Sequence, residues 1–376
     1  MASLLTELFH DIDRRAREIA QDLARLKGEV PGEVEAYCER MEQMAARVPG
    51  IIAKTLADPD LNSPAFAVNY FRNYKDVARL VQELENLPLL VLRRFSEPDR
   101  RMTALVAKIC DEINYPFQPP VCSSISSQYY WTVAGMDLLF VPCLEPDHLL
   151  GLPDIYHELG HIILFREENR FVFPGLQLVD QHFDRLVTDG KKGNWPKQSI
   201  DQLEMFRHCW RQTWLIEFAA DLIATYTAGP VFGWCNIRTS TNLGGELYSG
   251  NVSHPADDAR ATIIGLMLER MGEPQAVADV GSRWSELLLL SGEAQPHRYD
   301  VAYPEPLLQD LANLFYVQCE DVGLASWMNT GGEPLSVRSV IDAAWLEFRQ
   351  RPESFGHFER EQLRRLGTLL GFGPTI

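Results

Sequence analysis

His157-Glu158-Leu159-Gly160-His161 is the stretch that decides how this chain is read. Histidines four positions apart share one face of a helix, so both imidazoles can reach a single zinc ion. Glu158 then points to the neighbouring flank, where it can take a proton from a water activated at the metal. Such a short pattern recurs by chance, so its flanks carry the weight. Leu149 to Tyr156 lead into a helix, and Ile162-Ile163-Leu164-Phe165 continue it on an apolar face. The alternative is a buried helix with two satisfied histidines.

A zinc site needs a third protein ligand, and the stretch from Trp214 to Ala224 offers the best one. It is an apolar helical pattern with only two carboxylates, Glu217 and Asp221, four apart. Burying two acids among Trp, Leu, Ile, Phe and Ala is costly unless positive charge compensates them. A zinc ion compensates Glu217, and the outer N–H of a ligand histidine compensates Asp221, which then fixes the ring's tautomer. Glu168, Asp180, Asp184 and Glu204 are rival third ligands in less apolar surroundings, with His182 and His208 as further rivals. The bland reading is an amphipathic helix whose polar edge happens to hold both acids.

With these two motifs in order, the chain resembles the gluzincin zinc metallopeptidases: HELGH on one helix, then EFAAD on a second. The closest branch is the HtpX-like and CAAX-prenyl endopeptidase type. That branch adds a later His-Pro segment followed by arginine, matched here by Ser253-His254-Pro255-Ala256-Asp257-Asp258-Ala259-Arg260. The ImmA/IrrE-like branch is a second choice without that segment. The resemblance covers about residues 125–270 as three short motifs. It implies a zincin-type core in which a small sheet with an edge hairpin lies beside the active-site helix and the glutamate helix. It also implies that a His, Tyr or Arg near the metal supports the oxyanion, for which His254, Tyr248 and Arg260 are the candidates in that order. Two departures stand out. HtpX-like enzymes carry membrane-spanning helices and this chain shows none, and the stretch between His161 and Glu217 is long.

The His-Pro segment also reads sensibly by itself. Pro255 suits the first position of a helix, and Asp257 and Asp258 sit in its first turn, where the helix dipole favours negative charge. Upstream, Ser127 to Ala134 and Met136 to Pro142 are β-favouring runs separated by Gly135, which predicts a hairpin. In gluzincins such an edge strand receives an extended peptide by backbone pairing; a hairpin serving only as core is the alternative. Asp189 to Pro196 reads as a connector, or as a lid over a cleft. Tyr226 to Trp234 shapes a specificity pocket or forms an ordinary helix stop.

Composition narrows the partners. A net charge of −17 in 376 residues argues against nucleic acid and anionic membranes, and favours neutral or basic substrates. No apolar run approaches the roughly 20 residues a spanning helix needs, and the first residues, with Asp11, Asp13, Arg14 and Arg15 soon after Leu8 and Phe9, lack a leader pattern. Seven scattered cysteines without a C-x-x-C pair read as reduced thiols. A soluble, cytoplasmic protein is expected.

The fold expected is α+β and mostly helical. Residues 1–120 form a helical region, 121–275 a zincin-like core, and 276–376 a helical C-terminal region. In the first region Leu5, Ile12, Ile19 and Leu26 recur every seven residues with Phe9, Ala16 and Leu23 between them, a seam for the body of the protein or for a second copy through the helical ends. The function expected is hydrolysis of a peptide or protein substrate with one Zn2+ per chain, held by His157, His161 and Glu217. Glu158 is the general base, and Asp221 orients a ligand histidine. A latent or regulatory zinc protein and a zinc hydrolase of non-peptide amides are the alternatives.

Overall fold

The computed structural model describes residues 4–126, 129–243, 246–329 and 336–372. They fall into two compact units. One comprises Met1–Ala104 with Val121–Ser123, and the other Leu105–Pro120 with Ser124–Ile376. The secondary structure is α+β, mostly helical with one small sheet. None of the described helices is long and apolar enough to cross a membrane. The seven cysteines are free thiols, all buried except Cys143.

The first unit is built on the heptad seam. Phe9, Ile12, Ala16, Ile19, Leu23 and Leu26 are buried along helix Leu4–Leu26. They pack on helix Gly32–Leu56, whose Val34, Cys38, Met41 and Ala45 are buried in turn. Each such side chain contributes about 1.5–3 kcal/mol of transfer free energy before ordering costs. The Cys38 thiol donates to the Leu23 carbonyl at 3.2 Å, and Phe9 meets Tyr74 of helix Ala67–Leu84 edge-on. The seam is therefore closed within the chain. Ser96 starts the helix Glu97–Glu112, its N–H and hydroxyl both donating to Asp99 at 2.8 and 2.6 Å.

The second unit carries the three short motifs. Its sheet has strands β1 (Val121–Ser126, shared with the first unit), β2 (Trp131–Val133) and β3 (Leu138–Pro142), in the order β1-β3-β2. β2 and β3 form the expected antiparallel hairpin, shorter at its start, with Trp131 opposite Phe140 and Val133 opposite Leu138. The Trp131 and Phe140 rings stack at 4.1 Å. Ser127 and Gln128 of the predicted run lie outside the described residues. The turn passes through Asp137 in the left-handed region (φ +49°), and Arg166 donates to both oxygens of that Asp137 at 2.5 and 2.6 Å. This fork ties the hairpin to the last turn of helix Asp154–Arg166, which bears HELGH.

Helix Glu168–Lys192 follows at once and absorbs the first half of the predicted connector, leaving Gly193–Pro196 to link it to helix Lys197–Cys209. A π-helical turn, Trp210–Trp214, runs into helix Leu215–Ala228, the carrier of Glu217 and Asp221. Helices Pro230–Leu243 and Asp257–Arg270 come next. Helices Pro274–Ser291, Glu305–Asp321, Val337–Gln350 and Phe355–Leu369 complete the unit. Ser336 caps Val337–Gln350 by accepting from the Ser339 N–H at 3.0 Å.

One buried acid of this unit makes its stability pH-dependent. Burial pushes the Asp342 carboxyl up to about 6 from 3.8, although it accepts a hydrogen bond from Trp327 Nε1 at 3.3 Å. The native state favours the protonated form, so this contribution is full below about pH 4 and is lost as pH rises through about 6. Asp342→Asn keeps the acceptor and removes the charge. We expect it to raise the unfolding free energy at pH 7.5 by about 2 kcal/mol while changing little at pH 4, measured by denaturant titration; a variant no more stable than the parent at pH 7.5 refutes this.

Candidate metal centre

Two helices make the centre by approaching closely. Gly160 faces Ala220 across the packed pair Asp154–Arg166 and Leu215–Ala228. A Cβ at Gly160 would lie 3.1 Å from the Ala220 Cα and 3.2 Å from its carbonyl oxygen, so any larger residue requires the facing helix to give by a few tenths of an ångström. The glycine of HELGH therefore sets the distance between the histidines and the acids of the second helix.

At that separation the side chains converge. His157 Nε2 and His161 Nε2 are 3.0 Å apart, and Glu217 places its two oxygens 3.5 Å from the first and 3.7 Å from the second. A tetrahedral zinc with bonds near 2.0–2.1 Å needs donor separations of roughly 3.3 Å. The histidine pair and the two glutamate distances, each to a different carboxylate oxygen, bracket that value. Among the described residues, the group whose ligand atoms all lie within 4.8 Å of one another, and so could hold a metal ion, is His157, Glu158 and His161; Glu217 stands beside it.

The charge inventory points the same way. Glu158 is 6% and Asp221 0% exposed, and the Glu217 side chain is 14% exposed. Arg260 answers Asp221 with a two-pronged contact, Nε to Oδ2 at 2.7 Å and Nη2 to Oδ1 at 2.6 Å. On its other side, Asp221 Oδ1 lies 2.9 Å from His157 Nδ1, within ion-pair reach though poorly aligned for a hydrogen bond. Burial raises the Asp221 carboxyl, but Arg260 outweighs it and holds the group below its usual range. Burial alone would lower His157; Asp221 and Glu217 overcome it and push the ring up to about 10. His161 falls to about 4 through burial and the charge of His157. Glu217 stays below the usual carboxylate range because the two histidines offset its burial. Glu158 is pushed up to about 7 by burial. Glu158, Glu217 and Asp221 share this small space with Arg260 as the one permanent cation, a setting in which a divalent cation would be well accommodated.

The centre sits between two lobes of one cleft. On one side a cavity of about 580 Å³ is walled by Trp131, Leu164, Phe165, Val172 and Ile216. On the other a cavity of about 430 Å³ is walled by Asn236, Thr239, Ser240, Asn251 and Asp257. Tyr130, His157, Glu158, Glu217 and His254 border both lobes.

His254 reaches this border on a braced segment. Asn251 Oδ1 accepts from the N–H groups of Ser253 and His254 and from the Ser253 hydroxyl, at 2.7, 2.9 and 2.7 Å. The serine proton being committed there, His254 Nδ1 donates to Ser253 Oγ at 2.9 Å. Trp214 Nε1 donates to the Asn251 carbonyl at 2.7 Å, and the Ala256 N–H to the Tyr303 hydroxyl at 2.9 Å. Gly250 leaves room for that hydroxyl, which a Cβ would meet at 2.2 Å.

Of the residues singled out from the sequence, His157, Glu158, His161, Glu217, Asp221 and His254 are brought together, and Arg260 joins them by pairing with Asp221 and lining the polar lobe. Tyr248 packs edge-on against Tyr299, outside the residues lining either lobe. Among the rival ligands, Glu168 lines only the apolar lobe. Asp180 and Asp184 pair with Arg207, and Glu204 lies 3.8 Å from the same guanidinium. His182 stacks edge-on with Phe183, and His208 is exposed. No residue of Asp189–Pro196 or Tyr226–Trp234 lines the cleft. Tyr130 and the stripe Asn236, Thr239, Ser240 were not singled out beforehand; the stripe's i, i+3, i+4 spacing was the available signal.

No family model matches the chain, and neither the curated proteins nor the solved structures searched contain a significant match.

Two substitutions probe this architecture. Gly160→Ala should force the helices apart, costing about 2 kcal/mol and lowering metal content, as judged by thermal unfolding and elemental analysis. Arg260→Met should cost about 3–5 kcal/mol by leaving Asp221 buried without its guanidinium. Unfolding curves that overlay the parent's would contradict either expectation.

Proposed function

We propose that this chain is a zinc-dependent endopeptidase with His157, His161 and Glu217 as ligands and Glu158 as general base. The observation that carries the reading is the metal-capable group His157, Glu158 and His161, with the Glu217 carboxylate within 3.7 Å of both imidazoles on the same cleft. A bound zinc supplies Lewis-acid polarisation of the scissile carbonyl and of the attacking water.

The chain's own residues do the rest. Glu158, bordering both lobes, takes the proton of the attacking water and passes it to the leaving amine. Asp221 holds the His157 ring by its Nδ1 side, and Arg260 holds Asp221. His254, at the border of both lobes, donates a ring N–H to the carbonyl oxygen as that atom gains charge. A peptide rather than another amide is favoured by β2. It is the terminal strand of the sheet, and its Trp131 and Thr132 line the apolar lobe, so an extended chain can pair along it. The latent and non-peptide readings have no comparable feature in their favour.

The test is cleavage of a mixed peptide library by the zinc-loaded protein, read by mass spectrometry. Glu158→Gln should retain zinc and lose about 10²–10⁴-fold in rate; equal cleavage by parent and variant removes the mechanism. Glu217→Ala should lower zinc content, and unchanged content would exclude it as a ligand. No cleavage by the zinc-loaded parent would count against a peptidase.

A further inference from the structure

Helix Pro230–Leu243 works on two sides. Asn236, Thr239 and Ser240 line the polar lobe of the cleft, whereas Trp234, Ile237, Arg238 and Thr241 line a separate groove of about 380 Å³. The other walls of that groove come from helices Pro274–Ser291 and Val337–Gln350.

Two features give the groove a definite chemistry. Its floor is apolar, formed by Trp234, Trp345, Phe348, Leu287 and Leu290. Leu290 ends the run Leu287-Leu288-Leu289-Leu290, and four consecutive leucines turn through about 300° of a helix, more than one core face can cover. Leu290 is accordingly 84% exposed. The rim is basic. Arg238, Arg283 and Arg349 stand around it with Glu286 as the one acid in the lining, in a chain of net charge −17. Arg349 is stacked 3.4 Å over Trp234, with Asp279 3.7 Å away, and Arg283 pairs with Glu286 at 2.7 Å. Exposed apolar surface framed by three arginines against one lining acid marks a surface for a complementary partner.

We propose that this groove seats an acidic, amphipathic segment of a partner protein. Leu or Trp side chains of the segment pack against Leu290, Trp345 and Phe348, and its Asp and Glu residues meet the arginines. The seat lies one helix thickness, roughly 10 Å, from the polar lobe, so a partner bound there is held beside the cleft. The proposal stands whether or not the cleft hydrolyses peptides.

The experiment is fluorescence anisotropy of a fluorescein-labelled peptide with Leu and Trp at helical spacing among Asp and Glu, titrated with the full chain. Binding should weaken about tenfold in Leu290→Glu and again in Arg238→Glu, should fall with added salt, and should vanish when lysines replace the acids. Leu290→Ala, the milder change, should weaken binding while circular dichroism stays that of the parent. Absence of binding, equal binding of the lysine peptide, or indifference to the substitutions overturns the proposal. So does capture of the chain by phosphatidylserine vesicles that the same substitutions abolish, with no peptide binding; that result would assign the groove to a membrane surface.

Discussion

Removing a carboxylate from water costs several kcal/mol even after the surrounding protein relaxes. Asp221 is fully buried and ionised, so its two partners are a requirement of the fold. Arg260 comes from helix Asp257–Arg270 and His157 from helix Asp154–Arg166, so satisfying one side chain fixes three helices against one another. The orientation of the His157 ring, and with it the direction of Nε2, follows from that arrangement. The centre is thus held by a buried charge network, and it would be disturbed by any change that removes a single partner.

Close helix packing supplies the second constraint. With Gly160 against Ala220, the Glu217 carboxylate comes within 3.7 Å of both imidazoles. The acids and histidines then share one small volume in which positive charge is short. The raised His157 ring and the low-lying Glu217 are two expressions of that shortage, met in this protonation state by a proton on nitrogen.

Legibility in the sequence followed the density of chemistry. HELGH could be read because its spacing encodes a helix face, and Glu217 and Asp221 because acids in an apolar helix demand an explanation. The heptad seam could be read because burial imposes its period on the residues, and Phe9 through Leu26 are buried as that period requires. β1 escaped notice because Val121-Cys122-Ser123-Ser124-Ile125-Ser126 is serine-rich and has little strand propensity. Asp189–Lys192 read as loop for its glycine and lysines, but tertiary packing overrides such propensity and the helix runs to Lys192. The pairing of Arg260 Nε and Nη2 with Asp221, 39 positions apart, had no local signal in the sequence. Contacts between distant residues, such as Arg166 with Asp137, leave no local trace at all.

That last pair also bears on how a polypeptide would be measured rather than merely held. The Arg166 fork joins the hairpin turn to the end of the helix that carries His157 and His161, so strand and histidines belong to one rigid piece. A chain laid along β2 would therefore meet the reactive centre at a fixed number of residues from where pairing begins. On the proposed peptidase reading such an arrangement would act as a ruler, the bond being selected by counting along the backbone while side chains decide how firmly the chain stays in register.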